Sequence, residues 1–262
     1  METLLVEHDR DLPGLVTITL NRPEKLNAIS FKMHDELQEA CYTLQRDASA
    51  RVIIMTGAGR AFSAGADRGA FKKAADQLLS LPSAPGASPL EDRLWAGTGT
   101  RTTAALEALD QVTIGAINGL AVGGALAFAA CLDLRIAGES AWFSIPEIDL
   151  NIPLSWAALS RLMREVGPAR TKELVMTCDR FSSADALRFG LLNQVVPDAE
   201  VLPAARALAA KLLAKDPLAI AMTKSTTRAL ANAMVPDYVN HSDADYLLAA
   251  RALARGRDAA GT

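Results

Sequence analysis

The sequence predicts a mixed α/β fold, and three observations support this prediction. Strand-like, helix-like and strand-like segments follow one another between Leu4 and Thr56, an order typical of α/β proteins. The uncharged segment Val112–Leu132 has a turn signal near its middle, which divides it into a strand and a helix. After Pro153 the pattern becomes predominantly helical. A sheet covered by helices follows from this order.

The N-terminal elements are two strands, a helix and a third strand. Apolar residues predict strands over Leu4–Glu7 and Gly14–Leu20, joined by a turn. Serine is a preferred N-cap residue, which predicts a helix over about Ser30–Asp47. A short buried strand is predicted over Arg51–Thr56, followed by a loop of small residues over Gly57–Gly65.

The segment between Lys73 and Thr100 has a weak pattern, because prolines interrupt any helix in it. We predict an irregular excursion beside the site, for which a lid or binding segment and plain disorder remain the alternatives. A helix through about Leu109 leads out of it.

The segment Val112–Leu132 is long enough for a membrane span, since about 18 apolar residues can cross the hydrocarbon core. Its interior favours a different structure. Asn118-Gly119 is a strong turn signal, and further glycines weaken a continuous helix by about 1 kcal/mol each relative to alanine. We therefore predict a buried strand over Val112–Ile117, a turn, and a buried helix over Ala125–Leu132. Gly123-Gly124 allows the backbone to approach a bound group closely.

The remaining elements are a strand over Asp133–Ile136 and a series of helices with one more strand. The predicted helices are Ser155–Glu165, Pro168–Thr177 and Ser183–Phe189 ending at Gly190, then a strand over Gln194–Val196 and two or three further helices. We divide the chain into a mixed α/β core, residues 1–198, and a C-terminal helical region, residues 199–262.

Composition narrows the classes of function. The 262 residues are 50% hydrophobic with a net charge of −3, which gives no broad electrostatic reason to bind nucleic acid or an anionic membrane. Cys41, Cys131 and Cys178 lack metal-ligand spacing and are predicted to be reduced, buried thiols. The first residues lack the basic and apolar regions of a secretory signal. We expect a cytoplasmic protein without a membrane span or a metal.

Several short motifs occur in order along the chain, and together they cover nearly all of it. They are Arg22–Ala28 (RPEKLNA), Ala61–Asp67 (AFSAGAD), Ile117–Gly119 with Gly123-Gly124, Asp133–Ala137 (DLRIA), Phe143–Glu147 (FSIPE), Phe181–Ala186 (FSSADA) and Gly190–Asn193 (GLLN). Each motif is weak alone. In this combination the sequence resembles the enoyl-CoA hydratase/isomerase (crotonase) superfamily.

The resemblance implies a crotonase-like spiral of strand-strand-helix turns with a C-terminal helical region, assembled as a homotrimer or a dimer of trimers. It also implies an acyl-CoA thioester as substrate and no cofactor beyond the CoA that the substrate carries. The shared chemistry is stabilisation of a thioester enolate by two backbone N–H groups, and the matching positions are Ala66 and Gly124. Fixed donors of this kind contribute about 3 to 4 kcal/mol each to stabilisation of an oxyanion.

By the same resemblance, two loops and the helix start line the path of CoA and its pantetheine arm. The matching residues are Lys25, Leu26, Ala28, Ala64, Gly65, Ala66, Asp67, Arg68 and Gly124. Arg22, Lys25 and Arg68 are candidates to meet the CoA phosphates, and solvated surface charges are the alternative. Lys224 and Arg251 are weaker candidates for the CoA of a neighbouring subunit.

The carboxylates decide which reaction the resemblance favours. Family hydratases hold a water between two glutamates, of which the second matches Glu147 and the first matches Ala127. Family isomerases keep only the later glutamate, and the segment Leu150–Trp156 is also more similar to theirs. We therefore favour isomerisation of a 3-enoyl-CoA to a 2-enoyl-CoA with Glu147 as acid and base.

Two alternatives remain open. One is an enoyl-CoA hydratase or another crotonase-type lyase that uses an unrecognised second carboxylate, and the other is an acyl-CoA-binding protein without turnover. Asp149 is the nearest second carboxylate, and an extended backbone would put it on the same face as Glu147. Acyl chain length and branching, and trimer versus hexamer, are left open by the sequence.

Other polar and aromatic residues are expected to have structural roles. Asp67 is interpreted as a loop or helix cap. The remaining candidates, interpreted as surface, packing or pocket-shaping residues, are His8, His34, His241, Trp142, Phe143 and Trp156.

Overall fold

The structure is a computed structural model that describes residues 1–67, 69, 89–236 and 242–249. A six-stranded sheet forms its centre. The strands, in spatial order, are β1 (Leu4–His8), β2 (Leu15–Leu20), β3 (Val52–Gly57), β5 (Val112–Ile117), β7 (Leu134–Gly138) and β10 (Gln194–Val196). The first pair is antiparallel and all later pairs are parallel. The predicted α/β class is confirmed, and each predicted strand lies within two residues of an observed one.

A second, four-stranded sheet carries the turns that lead to the site. Its strands, in spatial order, are β4 (Ala61–Ser63), β6 (Leu120–Val122), β8 (Trp142–Ser144) and β9 (Phe181–Ser182). The prediction of a loop over Gly57–Gly65 was therefore wrong in part, and the strand after Asn118-Gly119 was missed. Strands of two or three residues are too short for an alternating pattern, and pairing with each other defines them.

Helices surround the two sheets. They are α1 (Phe31–Leu44), α2 (Pro89–Ala96), α3 (Thr98–Glu107), α4 (Gly124–Ala129), α5 (Ala158–Thr177), α6 (Ser183–Phe189), α7 (Val201–Leu213) and α8 (Pro217–Met234), and residues 243–249 are also helical. Short 3-10 turns occur at Pro23–Lys25, Ile148–Leu150 and Asp198–Glu200. Ser30 caps α1 as predicted, because its side chain accepts a hydrogen bond from the Met33 N–H at 3.2 Å.

One prediction about helices was wrong and another is confirmed. Residues 89–100 were assigned to an irregular excursion, but they form α2 and the start of α3, with Pro89 as the first helical residue, where proline is tolerated. The part of that excursion over residues 73–88 lies outside the described residues. The two helices predicted on either side of residue 167 are confirmed, because α5 is divided where Gly167 adopts the non-helical angles φ 77° and ψ 165°.

The central strands of the six-stranded sheet are buried on both faces. On one face α1, α3 and α4 pack with the second sheet in a continuous apolar core. On the other face α7 packs on β3 and β5 through Val201, Ala205 and Ala209. Strands β3 and β5 are consequently buried at every residue, as expected of parallel strands covered on both sides. Cys41, Cys131 and Cys178 are free and buried, as predicted.

The uncharged segment Val112–Leu132 folds into β5, β6 and α4. Among the described residues, no helix is long and apolar enough to cross a bilayer. Likewise, the described part of the chain contains no group of three His, Cys, Asp or Glu residues arranged to hold a metal ion.

Candidate active site

The first loop of the site, Arg22–Ile29, is held against the segment that follows β4. The Ile29 N–H donates to the Gly65 carbonyl at 2.8 Å, and the Asp67 N–H donates to the Ile29 carbonyl at 2.9 Å. Since successive N–H groups of an extended chain point to opposite sides, the Ala66 N–H points away from Ile29. Two further bonds extend this pairing, from the Ala64 N–H to the Leu26 carbonyl and from the Ser63 hydroxyl to the Asn27 carbonyl.

Asn27 fixes the shape of this first loop. Its φ of 54° is left-handed, a conformation that asparagine tolerates better than most residues. The buried side-chain amide donates to the Ala58 and Ala61 carbonyls at 2.9 and 2.8 Å, and its oxygen accepts from the Arg22 N–H at 2.9 Å. Both the amide nitrogen and the amide oxygen of Asn27 are therefore hydrogen-bonded to backbone groups.

Arg22 and Asp67 form an ion pair of 2.9 Å beneath the same loop. The Arg22 guanidinium also donates to the Ala28 carbonyl at 2.6 Å. Sequence reasoning placed Arg22 as a candidate for the CoA phosphates and Asp67 as a cap, and it did not anticipate this pair. Lys25 is exposed at the end of a 3-10 turn, and Arg68 lies outside the described residues.

The second part of the site is the start of α4. Gly65 has a φ of 80°, and a Cβ on it would overlap the Val122 carbonyl oxygen and lie 3.4 Å from the Gly124 nitrogen. The segment carrying Ala66 therefore lies directly against the start of α4. Within the described residues, neither the Ala66 nor the Gly124 N–H donates to a protein acceptor. The two sequence-predicted oxyanion donors thus have N–H groups that remain available to a ligand.

Glu147 lies over the residue that precedes this helix. A Cβ atom on Gly123 would lie 2.5 Å from Glu147 Oε1, and the φ of 54° at Gly123 also favours glycine. Burial raises the pKa of the Glu147 carboxyl from 4.5 to about 7. Among the described residues its buried Oε2 has no hydrogen-bond partner. A carboxyl in this state can accept or return a proton near neutral pH.

The described residues supply no second carboxylate beside Glu147. Ala127 lies one helical turn after Gly123 and is buried in the core. Asp149 is exposed on the 3-10 turn Ile148–Leu150. The expectation of a shared face required extended backbone, but Glu147 has helical angles of φ −62° and ψ −41°, so Glu147 and Asp149 point in different directions.

Trp156 is packed against the other glycine of the pair. A Cβ on Gly124 would overlap its six-membered ring, and a Cβ on Gly99 would overlap its five-membered ring. The indole also stacks on Phe128, with a centroid distance of 5.7 Å, and meets His34 edge-on at 4.7 Å. Sequence reasoning interpreted Trp156 as a packing or pocket-shaping residue but missed Gly99, which shows no motif of its own.

The histidines have no catalytic geometry where they are described. His34 is buried, its Nδ1 lies 2.8 Å from the Thr102 hydroxyl, and burial lowers its pKa to about 3, so the ring is neutral. His8 is exposed, 3.7 Å from Asp47. His241 lies outside the described residues.

The other residues considered from sequence lie away from Glu147 or outside the described chain. Trp142 packs under the Arg180 guanidinium, and Phe143 stacks on Phe181 in the core. The Lys224 ammonium donates to Asp133 and to the Gln111 carbonyl, both at 2.7 Å, so it has partners within the chain. Arg251 is not among the described residues.

Comparison with known proteins shows which family the sequence matches. A family model described as enoyl-CoA hydratase/isomerase matches residues 12–249. One relative, a crotonyl-CoA hydratase of Syntrophomonas wolfei, is 33% identical over 86% of this chain and 80% of its own length.

Two similar solved structures are a hydratase and an isomerase. An enoyl-CoA hydratase from Bacillus anthracis superposes with a TM-score of 0.77 at 30% identity, covering 95% of this chain and 90% of that one. A monofunctional enoyl-CoA isomerase from M. smegmatis superposes with a TM-score of 0.71 at 30% identity, covering 88% and 95%. The fold of this chain is therefore similar to that of proteins named for each of the two activities, and fold alone does not distinguish between them.

Proposed function

Because this chain belongs to the enoyl-CoA hydratase/isomerase family, we propose that it moves the double bond of a 3-enoyl-CoA to the 2 position. The observation that carries the proposal concerns the two glutamate positions of a family hydratase: the described residues keep Glu147, whose carboxyl lies beside Gly123, but have Ala127 at the other position, one turn into α4. Hydration needs one group to activate water and another to protonate carbon, whereas isomerisation needs one group that moves a proton.

The proposed reaction conserves every atom of the substrate. The Glu147 carboxylate removes a proton from C2, and the electrons of the C2–H bond form a dienolate whose negative charge lies largely on the thioester oxygen. The Ala66 and Gly124 N–H groups stabilise that oxygen. The protonated Glu147 then returns the proton to C4, and the electrons shift to leave the double bond between C2 and C3.

We place the CoA arm along the paired loops of the site. Leu26, Ala28 and the segment Ala64–Asp67 form one continuous edge that ends at Gly124, and Lys25 is exposed at its outer end. Arg22 is committed to Asp67 and Ala28, so we assign it to shaping this edge rather than to contact with a phosphate.

A turnover assay with 3-enoyl-CoA and 2-enoyl-CoA substrates tests the proposal. The wild-type protein is expected to isomerise the former and to hydrate the latter far more slowly. Glu147→Gln keeps the size of the side chain but removes its base, so we expect kcat for isomerisation to fall about 1,000-fold, within the usual range for a general acid–base group. Asp149→Asn is the matched control and is expected to retain wild-type kcat.

Hydration is the second candidate, because the names of several relatives, including the crotonyl-CoA hydratase, specify that reaction. If the wild-type protein hydrates 2-enoyl-CoA efficiently and Asp149→Asn abolishes that activity, the proposed reaction becomes hydration, with Asp149 as the second carboxylate. Binding of acyl-CoA without turnover of either substrate would instead make this chain a carrier.

We also propose self-assembly into trimers or paired trimers, as expected from the family. Within the described chain, α8 has no buried residue, and four of its large apolar side chains are exposed. They are Leu218, Met222, Leu230 and Met234. Light scattering on the purified protein is expected to give three or six times the chain mass of 27.8 kDa, and a monomer would contradict this proposal.

A further inference from the structure

Asp243 connects the last described segment of the chain to the segment that contains Trp156. Its Oδ2 accepts a hydrogen bond from the Ala157 N–H at 2.7 Å, although 86 positions separate the two residues. Ala157 is the N-cap of α5, has a φ of 55°, and provides no side-chain cap of its own. A carboxylate from the C-terminal segment therefore caps this helix start, where negative charge is favourable.

Apolar contacts hold the Asp243 segment in place, and an exposed ion pair beside them contributes little. Ala244 and Leu247 are buried in a small cluster with Ala96 of α2, and Ile152 packs against the same cluster. On the surface side, the Arg93 guanidinium pairs with Asp245 at 2.9 Å. The position of the Asp243 carboxylate is thus set mainly by the burial of Ala244 and Leu247, which directly follow it in the same helix.

The residues that this carboxylate restrains are conformationally strained. Trp156 and Ala157 are consecutive non-glycine residues with left-handed φ angles of 61° and 55°. Such conformations are energetically unfavourable for non-glycine residues and persist where the surrounding structure fixes them. A charge-assisted hydrogen bond to the Ala157 N–H supplies one such restraint.

The restraint reaches the site through the indole ring. The Trp156 ring lies against Gly124, whose N–H is one of the two candidate oxyanion donors. We propose that Asp243 is a positioning residue that holds the Trp156 ring against Gly124, so that the C-terminal segment becomes a functional part of the site. The consequence for catalysis rests on the proposed function, whereas the positioning of the ring does not.

Tryptophan fluorescence tests the positioning directly. The chain has three tryptophans, so Trp95 and Trp142 are replaced by phenylalanine to leave the signal of Trp156 alone. Phenylalanine keeps an aromatic ring where Trp95 packs against the Ala244 and Leu247 cluster, and the background protein with Asp243 intact is the reference for every emission shift. In this background, Asp243→Ala is expected to shift the Trp156 emission to longer wavelength and to increase its quenching by acrylamide. Asp245→Ala is the matched control, because it removes the ion pair with Arg93 but leaves the bond to Ala157.

Kinetics test the consequence for the reaction. Misplacement of a catalytic donor lowers the rate of the chemical step, so Asp243→Ala is expected to lower kcat about 10- to 100-fold. KM should change much less, and Asp245→Ala should retain wild-type kcat. Asp243→Asn keeps an acceptor oxygen without the charge and is expected to give intermediate values of both kcat and emission wavelength.

Each outcome either supports or overturns the inference. Wild-type emission in Asp243→Ala, or the same red shift in Asp245→Ala, would overturn it. If Asp243→Ala does not fold, an intermediate shift in Asp243→Asn supports the inference and a wild-type spectrum overturns it. If the wild-type protein turns over no enoyl-CoA, the proposed function fails, and the emission comparison still decides the positioning role.

Discussion

Two segments that position groups beside the start of α4 are held in different ways. The loop Arg22–Ile29 is fixed by local hydrogen bonds and one ion pair, with Asn27 at its centre. The segment Glu147–Ala157 is fixed by contacts with distant parts of the chain: Trp156 packs among Gly124, Phe128 and His34, and the Ala157 N–H donates to Asp243. Within the described structure, Glu147 Oε2 has no hydrogen-bond partner. The first segment holds a backbone donor rigidly, and the second leaves a carboxyl free to exchange a proton.

Adding one methyl group tests the packed segment and has the largest effect on stability that we expect. Gly124→Ala would force a Cβ into the Trp156 ring, and overpacking of this kind costs about 3 kcal/mol at the upper end of its usual range. Chemical denaturation measures the free energy of unfolding.

A double-mutant cycle separates this clash from other effects of the methyl group. Trp156→Leu leaves space beside Gly124, so adding Gly124→Ala to Trp156→Leu should destabilise the protein much less than Gly124→Ala alone. Equal effects in both backgrounds would show that the indole does not determine the need for glycine. Trp142→Leu, which removes an indole outside the site, serves as the control background.

The hydrogen-bonded segment is broken by removing one side chain. Asn27→Ala leaves the Ala58 and Ala61 carbonyls without their donor and places alanine at a left-handed φ. Leaving buried polar groups unsatisfied costs about 2 kcal/mol, so we expect a loss of that size in the free energy of unfolding. Arg46→Ala, which removes a surface hydrogen bond to the Tyr42 carbonyl, should change stability far less. A comparable loss in both variants would contradict the central role of Asn27.

The same difference explains what the sequence could predict. The hydrogen-bonded segment lies within one short motif, Arg22–Ala28, and its pairing with Ala61–Asp67 joins two motifs that resemblance already brings together. Strands, caps and the break at Gly167 also follow from local patterns. The roles of Gly99 and Asp243 depend on contacts with Trp156 and Ala157 from distant parts of the chain, which no local pattern encodes.

The raised pKa of the Glu147 carboxyl predicts that kcat and the free energy of unfolding change in opposite directions as pH rises. Burial raises the pKa of Glu147 from 4.5 to about 7, so below about pH 7 the base is protonated. We therefore expect kcat to fall about tenfold for each pH unit below that value, the limit for loss of one essential base. Glu147→Gln, where residual activity is measurable, should lack this dependence, and an acid limb unchanged by that substitution would assign it to another group.

Stability should change in the other direction over the same range. Between pH 4.5 and about 7 the folded state retains a proton on Glu147 that the unfolded state has released. The unfolded state then binds fewer protons, so the free energy of unfolding falls as pH rises through this window. Subtracting the pH dependence of Glu147→Gln from that of the wild type isolates the contribution of this group. A difference that is flat between these pH values would mean that Glu147 is solvated in the folded protein, and that the packed segment does not exclude water from it.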